Sequence, residues 1–240
     1  LGGDGKLLGE GSHTTPDPVE LHRLLADMEK QGITHVAMEA SSHGLHQYRL
    51  DGVRLEAAAF TNIARDHLDY PKNEEEYFAA KSRLFTDLLP AGAAAVLNRN
   101  DARFAALKSI CDKRGLKVME FGKGAKDLRI DALTPHAHRQ KAELTLLGKP
   151  HVIDIPLVGA FQVMNILAAL GLSLTVGADM EKALAAIPKF KGVPGRLEYV
   201  VQLAGGASVY VDYAHTPMAL ANILQTLRPH TSGKLHIAFG

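Results

Sequence analysis

The residues best able to do chemistry are crowded between Met38 and Lys81, in the stretch MEASSHGLHQYRLDGVRLEAAAFTNIARDHLDYPKNEEEYFAAK. Glu39, Ser41, Ser42, His43, Gln47, Arg49, Asn62, Arg65, Asp66, His67, Asp69 and Lys81 all lie in it. Glu39 follows an apolar run, where a carboxylate binds magnesium directly or through water, or else closes a salt bridge. His67, flanked by Asp66 and Asp69, suits magnesium or manganese better than structural zinc. Taken alone, that Asp-His-x-Asp string reads more readily as loop decoration. Arg49 carries a planar fork that matches carboxylate and phosphate oxygens. An isolated surface arginine is the plainer alternative. Gln47 and Arg49 point the same way if their segment is extended. Ser41-Ser42-His43 is no nucleophile elbow, which needs glycine two residues to either side of the serine. Gly44 marks a tight, closely approached backbone instead.

Lys81 closes the stretch. Phe78, Lys81, Phe85 and Leu88 are spaced three, four and three apart, so they share one helical face. A lysine on an apolar face is desolvated, which favours the neutral amine. A neutral amine reacts with carbon dioxide to give an anionic carbamate, which helps to position magnesium. The commoner outcome is a lysine whose stem packs on the core while its head reaches water.

Outside this stretch the signals are sparser. Thr14 and Thr15 precede a helix start, where hydroxyls and free N–H groups suit an anion; an ordinary cap serves as well. Asn165 is a polar residue on an otherwise apolar helix, and its amide has the donors and acceptors to read a purine edge. Arg196 ends a Gly/Pro-rich run, and Asp212 stands at a strand's end. No Walker-type phosphate loop is present: Gly5-Lys6 and Gly233-Lys234 are each followed by leucine where serine or threonine is needed. His136, His138 and His151 carry little weight as a metal cluster, because no carboxylate or cysteine pattern accompanies them.

The elements that must position these groups follow from periodicity and punctuation. Ile33–Met38 and Ala57–Thr61 read as buried strands, with the chemistry at their carboxyl ends, where open α/β sheets bind ligands. Asp17 and Pro18 start a helix that Gly32 closes. Asn73, with Glu74, Glu75 and Glu76, starts the helix of Lys81. Ala93–Leu97, a helix over 101–114 and Lys117–Phe121 make a β-α-β alternation, which predicts a doubly wound, mostly parallel sheet. Residues 127–158 read as short antiparallel strands turning at Gly148-Lys149-Pro150. Gly159 opens an apolar helix to Val176, and Asp179 caps a short one to Ile187. Lys189–Arg196 reads as a linker. Strands at Leu197–Leu203 and Ser208–Val211 and a helix capped by Thr216 then begin a second α/β domain. The last residues, 235–240, read as a strand.

With 240 residues, a formal charge of +1 and ordinary apolar content, nothing points to nucleic acid or a membrane surface. No apolar run reaches the ~18–20 residues of a membrane span. Cys111 is the only cysteine, which excludes an internal disulfide and any Cys-rich zinc site. Its place near a helix end suggests packing. Both ends of the chain read as cut, as in a piece of a longer enzyme.

Seven motifs in order, HTTPDP, MEASSHGLHQYRL, FTNIARDHLDY, EEYFAAK, GAFQVMNILAA, GVPGRLE and VDYAHTP, resemble the Mur ligases of peptidoglycan synthesis. The resemblance implies a central, P-loop-type ATP-binding domain over 1–193, lacking its phosphate loop. Over 194–240 it implies the beginning of a Rossmann-like C-terminal domain. It implies a cytoplasmic, ATP- and Mg2+-dependent ligase that joins a diamino acid to UDP-N-acetylmuramoyl-L-alanyl-D-glutamate through an acyl phosphate. meso-Diaminopimelate is favoured over L-lysine. The fragment alone is expected to be inactive. Carried over, Thr14, Thr15, Ser41, Gln47 and Arg49 contact the nucleotide-sugar peptide. Glu39, His67 and Lys81 are catalytic and hold magnesium, with Lys81 carbamylated. Asn165, Arg196 and Asp212 contact ATP. The chain departs from the family where His13 and Gln162 stand in place of asparagines. A folylpolyglutamate or cyanophycin type of ligase and a non-catalytic relative are the competing readings.

Overall fold

The computed structural model describes residues 14–63 and 74–239. Its main feature is a six-stranded, mostly parallel mixed sheet whose order follows the sequence. The strands are β1 (Ala57–Phe60), β2 (Ala94–Asn98), β3 (Lys117–Lys123), β4 (Leu128–His136), β5 (Arg139–Leu146) and β6 (Lys149–Ile155). Two helices serve as crossovers: α3 (Glu74–Arg83) lies between β1 and β2, and α4 (Phe104–Arg114) between β2 and β3. β3 pairs parallel to β4, while β4, β5 and β6 form an antiparallel meander. The expected α/β class and antiparallel addition are both present. The β5–β6 turn comes one residue earlier than expected: Leu147 and Gly148 take φ of 48° and 81°. Two consecutive positive φ values are what a two-residue hairpin turn demands.

The chain divides into two compact units. One gathers the described residues up to Ala58, with Asn62–Ala95 and Ala105–Val118. Here α1 (Pro18–Lys30) starts as expected, with the Asp17 carboxylate accepting from the N–H groups of Val19 and Glu20 at 3.0 and 3.1 Å. A short α2 (Ser42–His46) follows. Leu21, Leu45 and Leu50 form a small core, with Leu25, Met38 and Leu84 against it.

The other unit holds Ala59–Thr61, Val96–Phe104 and Met119 onward. α5 (Ala160–Thr175) lays Val163, Ile166, Leu167 and Leu170 on Leu128, Ile130, Leu144, Leu146 and Ile155 of β4–β6. Gly171 permits the close approach: a Cβ there would lie 2.6 Å from Val96 Cγ1. α6 (Met180–Ala186) is capped by Asp179, which accepts from the Lys182 N–H at 2.9 Å. β7 (Glu198–Gln202) and β8 (Ser208–Val211) form a separate antiparallel pair. α7 (Pro217–Leu227) starts at Thr216, whose hydroxyl accepts from the Ala219 N–H.

Two expected strands are absent from the fold. Residues 33–38 form no strand, and Thr34, His35, Val36 and Ala37 are exposed. Residues 235–239 likewise form none, with Phe239 76% exposed. Both segments have the apolar composition of strands. A strand also needs a neighbour to take up its N–H and C=O groups, and among the described residues neither segment has one.

Candidate functional site

The first cluster is built around Thr15, which is fully buried. Its hydroxyl donates to the Glu39 carbonyl and accepts from the Ser41 N–H, each at 3.0 Å. Its own carbonyl accepts from Arg49 Nη1 at 2.8 Å. A single side chain therefore joins the turn before α1 to the turn that carries Glu39, Ser41 and Arg49. The Ser41 hydroxyl accepts from the Gly44 N–H at 3.0 Å, which caps α2. Gly44 has the close approach its position predicts: a Cβ there would fall 2.7 Å from Thr15 Cβ.

Gln47 and Arg49 are brought together, but by a turn rather than by an extended segment. Gln47 ends α2, and Tyr48 follows with φ of 60°. Arg49 then folds back so that Nε and Nη2 donate to Gln47 Oε1 at 2.9 and 2.6 Å. The reason is local: Ser41 caps a helix start, and a capped turn of helix displaces the extended form. Thr14 and the Glu39 residue lie exposed beside this frame, and Ser41 is half-buried.

Lys81 sits on α3, half-buried, with its amine 5.3 Å from the centre of the Tyr77 ring. Phe85 is fully buried, while Phe78 and Leu88 are only half-buried. The shared face continues into a π turn at Leu84–Leu88, closed by the Leu89 N–H on the Leu84 carbonyl. Arg83, two residues on, carries contacts that spacing alone does not announce. It donates to the Leu45 carbonyl and pairs with Asp51 at 3.2 Å and Asp87 at 3.1 Å. Its guanidinium lies 4.1 Å from the Tyr48 ring centre. Arg83 thereby ties the helix of Lys81 to the turn of Arg49.

Asp66, His67, Asp69 and Asn73 fall outside the described residues, as does His13. Among the described residues no group of three or more His, Cys, Asp or Glu is gathered to hold a metal. Glu39 supplies the hard carboxylate oxygen that magnesium prefers. The donor types expected from the sequence, a carboxylate, an imidazole and a carbamate, would suit that ion.

In the second unit, Asp212 bonds the residue that follows Arg196. The two carboxylate oxygens of Asp212 accept from the N–H groups of Leu197 and Ala214, each at 2.8 Å. The Arg196 guanidinium lies 5.8 Å from the Tyr213 ring centre. Asn165 lies on the exposed face of α5 with Phe161 and Ala169, while Gln162 is buried.

Sequence reasoning missed a further polar set. Asn98 Nδ2 donates to the Thr61 carbonyl, and its oxygen accepts from the Asn100 N–H. Asn100 in turn bonds both backbone groups of Lys123. Two asparagines thus join the carboxyl ends of β1, β2 and β3. The available signal was Asn-x-Asn directly after a strand.

An α/β sheet with its polar groups at strand ends, a threonine-centred frame before the first helix and a lysine on the helix after β1 define a ligase-like architecture. The chain belongs to the Mur ligase family: the Mur ligase middle domain matches residues 2–173, and the Mur ligase, glutamate ligase domain matches 195–240. It is 48% identical to the UDP-N-acetylmuramoyl-L-alanyl-D-glutamate--2,6-diaminopimelate ligase of Mesorhizobium japonicum, over 96% of this chain and 48% of that protein. The corresponding ligase of Rhizobium meliloti is 46% identical, over 96% and 47%. The chain therefore spans about half the length of the curated relatives it matches. A solved structure of such a diaminopimelate ligase superposes with a TM-score of 0.81 at 35% identity, over 95% of this chain and 47% of the other. A UDP-N-acetylmuramoylalanyl-D-glutamyl-2,6-diaminopimelate--D-alanyl-D-alanyl ligase from Acinetobacter baumannii shares the fold, with a TM-score of 0.65 at 19% identity, over 75% and 38%.

Proposed function

We propose that the chain forms the central domain, over 1–193, and the beginning of the C-terminal domain, over 194–240, of a cytoplasmic ligase. That ligase joins meso-diaminopimelate to UDP-N-acetylmuramoyl-L-alanyl-D-glutamate at the expense of ATP, in peptidoglycan biosynthesis. The observation that carries this reading is the Thr15 frame. A buried hydroxyl and a folded-back arginine tie the segment of Thr14 and Thr15 to the turn that carries Glu39, Ser41, Gln47 and Arg49. The names and identities of the close relatives support the substrate and the added amino acid.

Thr14, Thr15, Ser41, Gln47 and Arg49 bind the nucleotide-sugar peptide, with Arg49 offering donors to an anionic group. Asn165, Arg196 and Asp212 contact ATP. Glu39, His67 and a carbamylated Lys81 would hold Mg2+, which when bound would supply positive charge to offset that of the phosphates. The substrate carboxylate takes the γ-phosphoryl group, releasing ADP and leaving an acyl phosphate. The amine of the amino acid attacks the acyl carbon, giving a tetrahedral centre that expels phosphate and loses a proton to form the amide. The chain's own contribution is to orient carboxylate and phosphate so that the step is effectively unimolecular. Among the described residues no helix is long and apolar enough to cross a membrane.

In the full-length protein, Lys81→Ala is expected to abolish most ligation, by about a hundredfold or more, as loss of charge stabilisation at a reacting phosphate does. Added bicarbonate or short carboxylates restore part of it at best. Unchanged turnover removes Lys81 from the mechanism. Arg49→Ala raises the KM for the nucleotide-sugar peptide with little change in the KM for ATP; an unchanged KM for the former returns Arg49 to a structural role.

A further inference from the structure

The start of α5 is held by a clamp whose two side chains, Gln140 and His230, lie outside the seven motifs. Gly159 takes φ of 94°, and a Cβ there would lie 2.5 Å from Thr226 Cγ2 and 2.8 Å from Phe161 Cε1. Its N–H donates to His230 Nε2 at 3.0 Å. Its carbonyl accepts from Gln140 Nε2 at 2.8 Å, and the same amide nitrogen donates to the Leu157 carbonyl at 2.9 Å. His230 and Gln140 are 8% and 2% exposed. Both backbone groups of one residue are therefore fixed by buried side chains from distant parts of the chain.

His230 also faces the tip of the β4–β5 hairpin, where its Nδ1 lies 2.7 Å from the His136 carbonyl. A backbone N–H can only donate, so Nε2 must carry the lone pair and Nδ1 the proton. One tautomer alone satisfies both contacts. The same hairpin tip is gripped twice more. The Tyr210 hydroxyl donates to the Ala137 carbonyl at 2.8 Å, and the His138 and Tyr199 rings lie 5.4 Å apart. Three successive residues, His136, Ala137 and His138, thus receive β7, β8 and the segment after α7.

We propose that His230 is a positioning residue, joining the segment after α7 to the first turn of α5 so that nucleotide affinity depends on that docking. The proposal rests on the ligase reading, in which Asn165 contacts ATP. Asn165 stands six residues beyond Gly159, about 9 Å along the helix. A shift in the first turn reaches it through the rigid helix backbone.

The test compares two amide variants in the full-length protein. His230→Asn keeps a donor toward the His136 carbonyl and loses the acceptor for the Gly159 N–H. His230→Gln keeps an acceptor near the position of Nε2. The expected result is a KM for ATP raised about tenfold by His230→Asn, the scale of an orphaned buried donor. His230→Gln recovers most of that loss, and neither variant moves the KM for the nucleotide-sugar peptide. Equal KM values for ATP in the two variants overturn the proposal, as does a rise in both KM values together. Nitrogen-15 spectra of the wild-type histidines are expected to show His230 as the Nδ1–H tautomer, and an Nε2–H tautomer overturns the clamp without any variant. Wild-type protein that forms no amide from ATP and the two substrates overturns the underlying ligase reading, a failure visible before the variants are compared.

Discussion

The turn around Thr15 and the sheet under α5 are stabilised in opposite ways. Among the described residues the first has a small core of buried leucines, Leu21, Leu45 and Leu50. Its shape comes from polar side chains that take up backbone groups: Thr15, Ser41, Arg49 and Arg83. The second has fifteen buried residues in one apolar cluster and uses polar clamps only at its margin, through Gln140 and His230. Apolar packing is non-directional and tolerates substitution if volume is kept. Hydrogen-bonded turns hold particular atoms in particular places and fail when one donor is removed. Groups that must point in fixed directions belong in the first kind of structure, and a rigid support for a long apolar helix belongs in the second.

The largest expected stability effect lies in the apolar region. Leu167 is fully buried between α5 and the sheet. Leu167→Ala removes its contacts and leaves a cavity, at a cost of about 2–5 kcal/mol. Leu50→Ala, in the small leucine core, should fall at the low end of that range, because half-buried neighbours can close over the gap. Denaturant melts of the two variants decide it. Equal losses would erase the distinction between the regions.

Next comes the hydroxyl of Thr15. Thr15→Val keeps the shape and strips the group that joins the Glu39 carbonyl to the Ser41 N–H. The orphaned buried donor costs about 1–3 kcal/mol. Functional damage should exceed that of Leu50→Ala at matched stability, because the turn carrying Arg49 loses its brace. Kinetics at a temperature where both variants are fully folded would show the opposite if apolar packing alone set the turn.

The same contrast governs what could be read in advance. Secondary structure was legible where apolar periodicity and capping coincide. The Asp17 cap, the α5 span, the Asp179 cap and the Thr216 cap all stand as their residues imply. The strands expected at 33–38 and 235–240 do not form among the described residues, because composition reports burial tendency and says nothing of a ladder partner. The grouping of Thr15, Ser41, Gln47 and Arg49 followed from resemblance, yet its geometry did not: an extended segment was expected and a capped helical turn is found. Arg83, Asn98, Asn100, Gln140 and His230 went unremarked for one reason. Each acts on backbone atoms far away in sequence, and a local pattern, such as Asn-x-Asn after a strand, marks the donor but not its partner.

The smallest effect tests whether an exposed polar cluster within the apolar region behaves like the turn of Thr15. Asp131 lies at the irregularity between Ile130 and Ala132 in β4. Its carboxylate accepts from the Thr145 hydroxyl at 2.7 Å and from Arg129 Nε at 2.6 Å. Those contacts favour the charged form and hold the carboxyl below its ordinary range, with the Thr145 hydroxyl the larger cause and Arg129 the next. The sign follows from linkage: with the folded value depressed, the cluster stabilises the fold above the ordinary carboxylate range and ceases to do so as acid protonates it. Carbon-detected titration of Asp131 should give a midpoint below 3.8, and Thr145→Val should raise it more than Arg129→Met does. The reverse order would make the ion pair, rather than the hydroxyl, the organising contact. Because the group faces solvent, thermal stability near neutral pH should barely respond to Asp131→Asn. A clear drop there would show that a polar brace matters in this region as much as it does at Thr15.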